Sequence, residues 1–412
     1  MGSLIHLAVG RFEVDWGKNN MFTMHGEMFQ PGDVGLVPYA YWDEDAEAVI
    51  DDLKEGVSRS LRRVLPRLAL LGHSVATAEA EFARIEGQSG EALSITFDQL
   101  AEALTDFDVS SPIVDESGDH DFGEFFAREI YVRLGLDRFG GERWVAWDLG
   151  YALENLSPAS VMVLLGLNPK NLDEPVTWQF ADVIEGGWAD REGIFDSLGR
   201  VRRFLIVTEG SSDARIIGQG LRLLRPDVAD FFSFVDMEEG YPFTGTGNLH
   251  RFCQGLVSIG IENRVLVVYD NDAEGAARHR DTLSLRLPPN MRAICLPAND
   301  RLRAFSTEGP EGSGISDING RAAAIECYLD LGYGESESPV IRWTSYRSAE
   351  GVYQGELIGK ERYYRRFLKF NELPAGYDAS GLELVLDAII RACEDVAQHV
   401  SPPTEDDATP LR

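Results

Sequence analysis

Two kinds of domain are expected in this chain: an α+β N-terminal domain, mostly helical, then an α/β domain built on a central parallel sheet. Three observations predict them. Before about residue 197, apolar residues recur at spacings of three and four, the mark of amphipathic helices. Beyond it, continuous apolar runs of strand length alternate with helical stretches, the mark of βαβ units. Two of those runs, Leu205-Ile-Val-Thr-Glu-Gly-Ser-Ser-Asp213 and Val265-Leu-Val-Val-Tyr-Asp-Asn-Asp272, end in carboxylates where a strand gives way to a loop or helix.

The N-terminal elements come first. Leu4–Val9, Arg11–Trp16 and Met21–Met24 read as short strands, punctuated by Gly10, Gly17 and Pro31-Gly-Asp33. From Asp43 to about Leu71 the spacing of Ile50, Leu53, Val57, Leu61, Val64, Leu65 and Leu68 predicts a helix. A shorter helix is expected over Thr77–Ile85, and Thr96-Phe-Asp-Gln99 has capping-box spacing at the head of another. Asp115–Asp121 is a polar break before a helix through Phe125 and Leu134. Residues 139–195, with Trp144, Trp147, Trp178 and Trp188 among glycines, show no clear period.

Then the rhythm changes. Arg203–Thr208, Phe231–Val235, Arg264–Tyr269 and Met291–Leu296 read as strands, with helices over Ser211–Leu224, Asn248–Ile259 and Ala273–Leu285. A glycine-rich stretch, Gly309–Gly314, and then Asp317-Ile-Asn-Gly-Arg321 lead to an expected helix at Ala322–Leu329. An appended α/β segment ends in a helix (Leu382–Val396) and an acidic tail. The expected divisions are 1–197, 198–335 and 336–412.

Charge narrows the function. With 38 basic and 68 acidic residues the formal charge is −30, a surface that repels bulk polyanions. Non-specific nucleic-acid binding draws on Lys and Arg, so the composition argues against a general DNA-coating protein. It does not exclude an enzyme working through metal ions and a local basic patch, though low activity by itself on long duplex DNA is expected. The 4 cysteines are far apart with no C-x-x-C pair, so no zinc ribbon is expected. No signal peptide and no apolar run of membrane-spanning length occur, and a reduced, cytoplasmic protein with no membrane partner is expected.

Ligands in an open α/β sheet bind beyond the carboxyl ends of the strands, so the two acidic strings are positioned to share one site. Glu209 follows its strand and Asp213 stands one helical turn later. Asp270 and Asp272 end another strand, and alternation aims both to one side. Such an all-oxygen set suits Mg²⁺ or Mn²⁺ and could clamp two ions about 3.5–4 Å apart. Four adjacent carboxylates would repel one another without cations between them. Singly, each acid reads more readily as a cap or turn former than as a catalytic group; it is their joint placement at successive strand ends that favours the catalytic reading.

The order strand-Glu-Gly, helix, strand, helix, strand-Asp-x-Asp, helix resembles the Toprim fold of topoisomerases, bacterial primases and the OLD (overcoming lysogenisation defect) class of nucleases. Thr208-Glu-Gly-Ser-Ser-Asp213 is similar to the OLD-class form, in which a second acid follows the first by four. The resemblance implies that Glu209, Asp213, Asp270 and Asp272 are metal ligands or an acid–base group, within a Toprim-like catalytic domain. Ile315–Glu326 resembles the tail of such domains, which adds Asp317 and Glu326 as ligands. The OLD class also uses a lysine after the acidic core, and Lys360 in Gly355-Glu-Leu-Ile-Gly-Lys360 matches it. Glu209, Asp270, Asp272 and Lys360 are then the catalytic set.

A second resemblance covers the N-terminal part. Met1-Gly-Ser3, Asp15-Trp-Gly-Lys-Asn19 and the run from Ser60 to Gly72 resemble the domain ahead of Toprim in the HEPN/Toprim-associated family of bacterial proteins. It implies a place in anti-phage defence. No G-x-x-x-x-G-K-[ST] string occurs, so the ATPase of full OLD proteins is missing from this sequence and would be supplied by a partner. A homo-oligomer is compatible with the same reading.

The leading function is a Mg²⁺- or Mn²⁺-dependent nuclease acting on DNA or RNA. The basic, aromatic run Arg362-Tyr-Tyr-Arg-Arg366 with Lys369 offers a nucleic-acid contact through Arg362, Tyr363, Arg365, Arg366 and Lys369, against the plain reading of a solvated helix face. A non-catalytic nucleic-acid or nucleotide sensor or scaffold is the alternative from another class. A third is a metal-independent ribonuclease of the N-terminal domain using Arg67 and His73, whose spacing fits a HEPN pair but whose setting looks like a helix and its C-cap. Gly245-Thr-Gly247 could cradle a phosphate or merely shape a loop.

Overall fold

The computed structural model describes residues 6–10, 12–15, 24–43, 48–89, 92–110, 143–235 and 246–400. They divide into two compact units, Met1–Val201 and Arg202–Arg412. Met1-Gly-Ser3, most of Asp15–Asn19, the break at Asp115–Asp121 with its following helix, Gly245, and the acidic tail lie outside the described residues.

The first unit is organised on a five-stranded antiparallel sheet of β1 (His6–Val9), β2 (Phe12–Glu13), β3 (Val34–Asp43), β4 (Ala48–Ser60) and β5 (Pro175–Gln179), in the order β2-β1-β5-β4-β3. Its longer helices are α1 (Leu61–Leu71), α2 (Val75–Ser89), α3 (Phe97–Asp106), α4 (Arg143–Asn155) and α5 (Pro158–Leu165), with short α6 (Ala181–Glu185) and α7 (Arg191–Ser197) after the last strand. Leu61, Val64 and Leu68 of α1 bury with Leu104 of α3 and with Val57 and Trp178 of the sheet. At the head of α3 the Thr96 hydroxyl accepts the Gln99 N–H at 3.3 Å, and the Gln99 carboxamide accepts the Thr96 N–H at 2.9 Å, the expected capping box.

One expectation fails here. The helix foreseen from Asp43 is instead the long strand β4 up to Ser60, and only from Leu61 is the chain helical. Gly56 shows why: a Cβ there would stand 2.5 Å from Val37 Cγ2 and 2.6 Å from the Trp178 carbonyl. Neighbouring strands close in on a glycine that a helix would not favour. The sheet is accordingly a larger part of this unit than the small β entry expected.

In the second unit β6 (Phe204–Val207), α8 (Ser211–Leu224), β7 (Phe232–Phe234), α9 (Thr246–Ile259) and β8 (Arg264–Tyr269) follow in turn. After them come a two-residue β9 (Asn271–Asp272), α10 (Ala273–Leu283) and β10 (Met291–Cys295). β6, β7, β8 and β10 form a parallel sheet in the order β10-β8-β6-β7. Every residue of β8 is buried, as in a strand covered on both faces. Leu249, Cys253 and Leu256 of α9 pack on Val265, Val267 and Tyr269.

The chain goes on through β11 (Phe305–Gly309), β12 (Gly312–Ser316), β13 (Ala322–Ala323), β14 (Ile341–Arg347), β15 (Val352–Leu357), α11 (Lys360–Phe367) and α12 (Ser380–His399). α12 packs across β8 and β10 beside α8, so residues 336–400 fold into this same compact unit. A second sheet has the order β12-β11-β14-β15, and β13 pairs antiparallel with β9. The expected helix at Ala322–Leu329 is therefore replaced by β13 and a 3-10 turn, Ile325–Tyr328, because pairing with Asn271 and Asp272 pulls the alanines into extended backbone. No helix among the described residues is long and apolar enough to cross a membrane.

Strand order fixes where a ligand belongs. From β6 the chain moves one way to β7, then crosses back to β8 on the other side of β6. The carboxyl ends of β6 and β8 thus flank the topological switch point, where α/β sheets bind their ligands.

Candidate functional site

At that switch point the acids gather. Glu209 stands just past β6, and its Oε1 accepts the backbone N–H of Asp270, just past β8, at 3.0 Å. Asp213, in the first turn of α8 and 9% exposed, accepts the Gly210 N–H at 3.0 Å and the Ser212 hydroxyl at 3.1 Å. Asp270 Oδ1 accepts the Ile325 N–H at 3.1 Å, which brings in the 3-10 turn that carries Glu326. Glu326 is 2% exposed. Asp272 caps α10, taking the Gly275 N–H on Oδ1 at 2.7 Å and the Gln354 amide on Oδ2 at 2.5 Å.

The electrostatics show how closely these groups share one space. Burial, then Asp272, Asp213 and Glu274, pushes Glu209 up to about 8. Burial, then Glu326, pushes Asp213 up to about 7. Asp270 is lifted well above the usual carboxylate range by burial and by Asp213, Glu209, Asp272 and Glu326 together. Asp272 is raised as well, mainly by burial, while its bonds to Gly275 and Gln354 pull it back. Lys360, the first residue of α11, is the cation among them. Burial alone would depress its amine, yet Glu326, Asp270, Asp213 and Glu356 raise it.

The donor set is all oxygen, the kind that suits Mg²⁺ or Mn²⁺. Oxygens of Glu209, Asp213, Asp270 and Asp272, however, already accept hydrogen bonds within the fold. Among the described residues no three acidic, histidine or cysteine side chains converge as a ready-made ligand set.

Other expected residues lie differently. Asp317 is exposed, and its Oδ1 accepts both the backbone N–H and the amide of Asn319, at 2.9 and 2.8 Å. That makes it a turn former. In α11, Tyr363 is 1% exposed and offers no ring face to a base. Arg362 and Arg366 both reach Glu335, Arg365 pairs with Glu361 at 2.8 Å, and Lys369 is exposed. The run is largely neutralised within the fold.

In the first unit Arg67 is fully buried. Its guanidinium donates to the Glu27 carbonyl at 3.0 and 2.9 Å and to that of Phe29 at 3.2 Å, binding the chain around Gly26 to α1. His73 follows the left-handed Gly72 (φ 104°), its N–H on the Leu68 carbonyl at 2.9 Å, a helix C-cap. Burial holds its imidazole below the ordinary value despite Glu81.

Three residues at the acid cluster escaped the sequence reading. Gln354 of β15 spans Asp272 and the Glu274 N–H, which its Oε1 accepts at 3.1 Å. Glu274 adds charge beside Glu209 and Asp272. Gly275 lies so near that a Cβ would meet the Asp270 carbonyl at 2.3 Å and Glu209 Oε1 at 3.0 Å. The spacing Asp272-Ala-Glu-Gly275, a cap with a glycine three residues on, was a local signal for the last two; Gln354 had none.

Comparison with known families touches the first unit. Residues 1–202 match the HEPN/Toprim N-terminal domain 1 family. The HEPN/Toprim association drawn from the N-terminal motifs thus has independent support. The match ends where the parallel-sheet unit begins, so the OLD-class likeness of Thr208–Asp213 has no counterpart in it. No curated protein and no solved structure matches the chain.

Proposed function

We propose that this chain is a divalent-metal-dependent nuclease of Toprim type, hydrolysing phosphodiester bonds in DNA or RNA, in bacterial anti-phage defence. One observation carries the reading: Glu209, Asp213, Asp270, Asp272 and Glu326 gather with Lys360 at the switch point of a parallel sheet. So many acids around one lysine cannot all ionise together, and a hard cation would let them do so. The HEPN/Toprim N-terminal unit adds support, since its family name couples it to a Toprim partner.

Glu209, Asp270 and Asp272 would hold the metal, with Asp213 and Glu326 beside them. Bound there, Mg²⁺ or Mn²⁺ would supply Lewis acidity at a phosphoryl oxygen and charge relief in the transition state. Lys360, kept protonated by its acid neighbours, is suited to donate to a non-bridging phosphate oxygen. Asp213, one helical turn beyond Glu209, is placed as a further ligand or an acid–base group. Nucleotide control would come from a partner ATPase, and the setting would be cytoplasmic.

A second reading, a sensor that binds nucleic acid or nucleotide without cutting it, draws on the fact that the acids already serve as caps and turn acceptors. Cleavage of labelled single-stranded RNA, tRNA and plasmid DNA, in Mg²⁺, Mn²⁺ or EDTA, separates the two. The nuclease reading expects metal-dependent cutting that Asp270→Ala/Asp272→Ala abolishes. Cutting that survives both EDTA and the double substitution would sink it and move the chemistry to the N-terminal unit.

A further inference from the structure

Arg321, a cation beside the Asp-x-Asp loop, forms no ion pair among the described residues. Its backbone forms a β-bridge with Asp272, and its carbonyl accepts the Gly355 N–H at 3.2 Å, so its position is set by the Asp-x-Asp loop and β15 together. Its guanidinium lies 4.3 Å from the Trp343 ring centroid. Trp343 is itself seated over two glycines: a Cβ on Gly309 would stand 2.8 Å from its Cδ1, and one on Gly355 2.9 Å from its Cε3. The indole therefore acts as a fixed shelf for the arginine.

That arginine has little else to bind. Its Nη1 reaches only the Asp317 carbonyl, at 3.5 Å, and its buried Nε has no partner. No carboxylate pairs with it among the described residues, in a chain of formal charge −30. Neighbouring arginines differ: Arg342 is paired with Glu308 and Arg347 with Glu274 and Glu350. Along the same hairpin Tyr346 is 58% exposed and sits directly across from Tyr353, centroids 5.1 Å apart. Tyr353 in turn is 6.3 Å from Trp343. An aromatic row thus runs from the arginine shelf to an open tyrosine ring.

We propose that Arg321, Trp343, Tyr353 and Tyr346 form a surface for single-stranded nucleic acid beside the acid cluster, Arg321 taking a backbone phosphate and Tyr346 a base. This names a substrate class for the site and so rests on the nuclease reading. Rings and a guanidinium can stack on bases only where the strand is unpaired. A duplex hides its base faces and meets the repulsion of the whole acidic chain. The charge complementarity is local and the rest of the surface opposes it, which selects short accessible single strands.

The test is binding by the full chain, read as fluorescence anisotropy of labelled single-stranded RNA, single-stranded DNA and a duplex of the same sequence, in EDTA at low salt so that cutting plays no part. Single strands are expected to bind more tightly than duplex, and the RNA and DNA arms report which sugar is preferred. Tyr346→Ala, on an exposed ring, is expected to weaken binding by about 10-fold while melting like wild type. Arg321→Met should flatten the salt dependence by about 0.7 in log–log slope, the share of one phosphate on a single strand, and Arg321→Lys should restore most of it. Arg303→Ala, an exposed arginine paired with Asp300, controls for net charge and should bind as wild type. Duplex bound as tightly as single strands, no binding of single strands by wild type, or wild-type affinity in both Tyr346→Ala and Arg321→Met overturns the proposal. Single-strand binding with the expected variant effects, but no cutting in any metal, upholds this surface and removes the nuclease reading instead.

Discussion

The backbone N–H of Asp270 donates to Glu209 Oε1 at 3.0 Å, so the end of β8 is fastened to the end of β6 by one of the acids itself. Charge and architecture are coupled at this point: the group that would bind a cation also sets the spacing between the strands that present the others.

Glu209→Gln separates the two roles. The amide oxygen still accepts the Asp270 N–H, while the carboxyl that must be kept protonated beside Asp272 and Asp213 is replaced by a group that never ionises. Without metal the variant should melt higher, by about 2–4 °C, the shift expected of about 1 kcal/mol in a unit of this size. Added Mn²⁺ should then stabilise it far less than wild type. Thermal melts in EDTA and in Mn²⁺ check both halves.

Stability of the metal-free protein should fall as pH rises. Burial, followed by neighbouring acids, raises Glu209 to about 8 and Asp213 to about 7, and lifts Asp270 and Asp272 in the same direction. Unfolded carboxyls titrate near about 4, so between there and about 8 the folded chain holds more protons than the unfolded one. The contribution of these groups is complete below the unfolded values and is lost as pH climbs through the folded ones. Melts in EDTA near about pH 5 and about pH 8 should show the drop, and Glu209→Gln/Asp270→Asn should reduce it. A profile with the same slope in wild type and variant would contradict it.

Gly275→Ala inserts a methyl where 2.3 Å separates it from the Asp270 carbonyl and 3.0 Å from Glu209 Oε1. Overpacking of this kind costs about 1–3 kcal/mol. Urea unfolding should register the loss, together with a weaker response to Mn²⁺, because the β6–β8 fastening is what the methyl displaces.

Gln354→Leu removes the amide that holds Asp272 Oδ2 and the Glu274 N–H. A hydrogen-bond partner behind a metal ligand is worth about 10–100-fold in metal affinity. Mn²⁺ titrations followed by electron paramagnetic resonance should find a drop of that order, with overall melting little changed.

Arg67→Ala strips three donated bonds from the Glu27 and Phe29 carbonyls. Its cost should be about 3 kcal/mol, visible as early unfolding of the N-terminal unit in urea. His73→Ala should leave RNA cleavage as it is. An EDTA-resistant cleavage that His73→Ala abolishes would reinstate the N-terminal ribonuclease.

Much of the second unit was legible because its local signals agree. Continuous apolar runs with abrupt Gly and Asp junctions placed α8 and β8 at Ser211–Leu224 and Arg264–Tyr269, with no shift at either end. The same apolar counting misplaced β4, since Ile50, Leu53 and Val57 satisfy a helical spacing by coincidence and only Gly56 spoke against it. Ala322 and Ala323 favour helix locally, and a non-local pairing with β9 overrode them. Lys360 was found through resemblance alone. Gln354 and Arg321 act across the fold, joining segments that nothing in a linear pattern connects.

The Ile325 N–H that reaches Asp270, with Glu326 beside it and Lys360 further on, has a consequence for biosynthesis. A ribosome that has made both acidic strings has produced only half a centre. Until the turn at Ile325–Tyr328 and the start of α11 emerge, Asp270 lacks its backbone anchor and the acids lack their cation. A stalled or clipped product ending before residue 360 would therefore present these acids without the lysine that faces them.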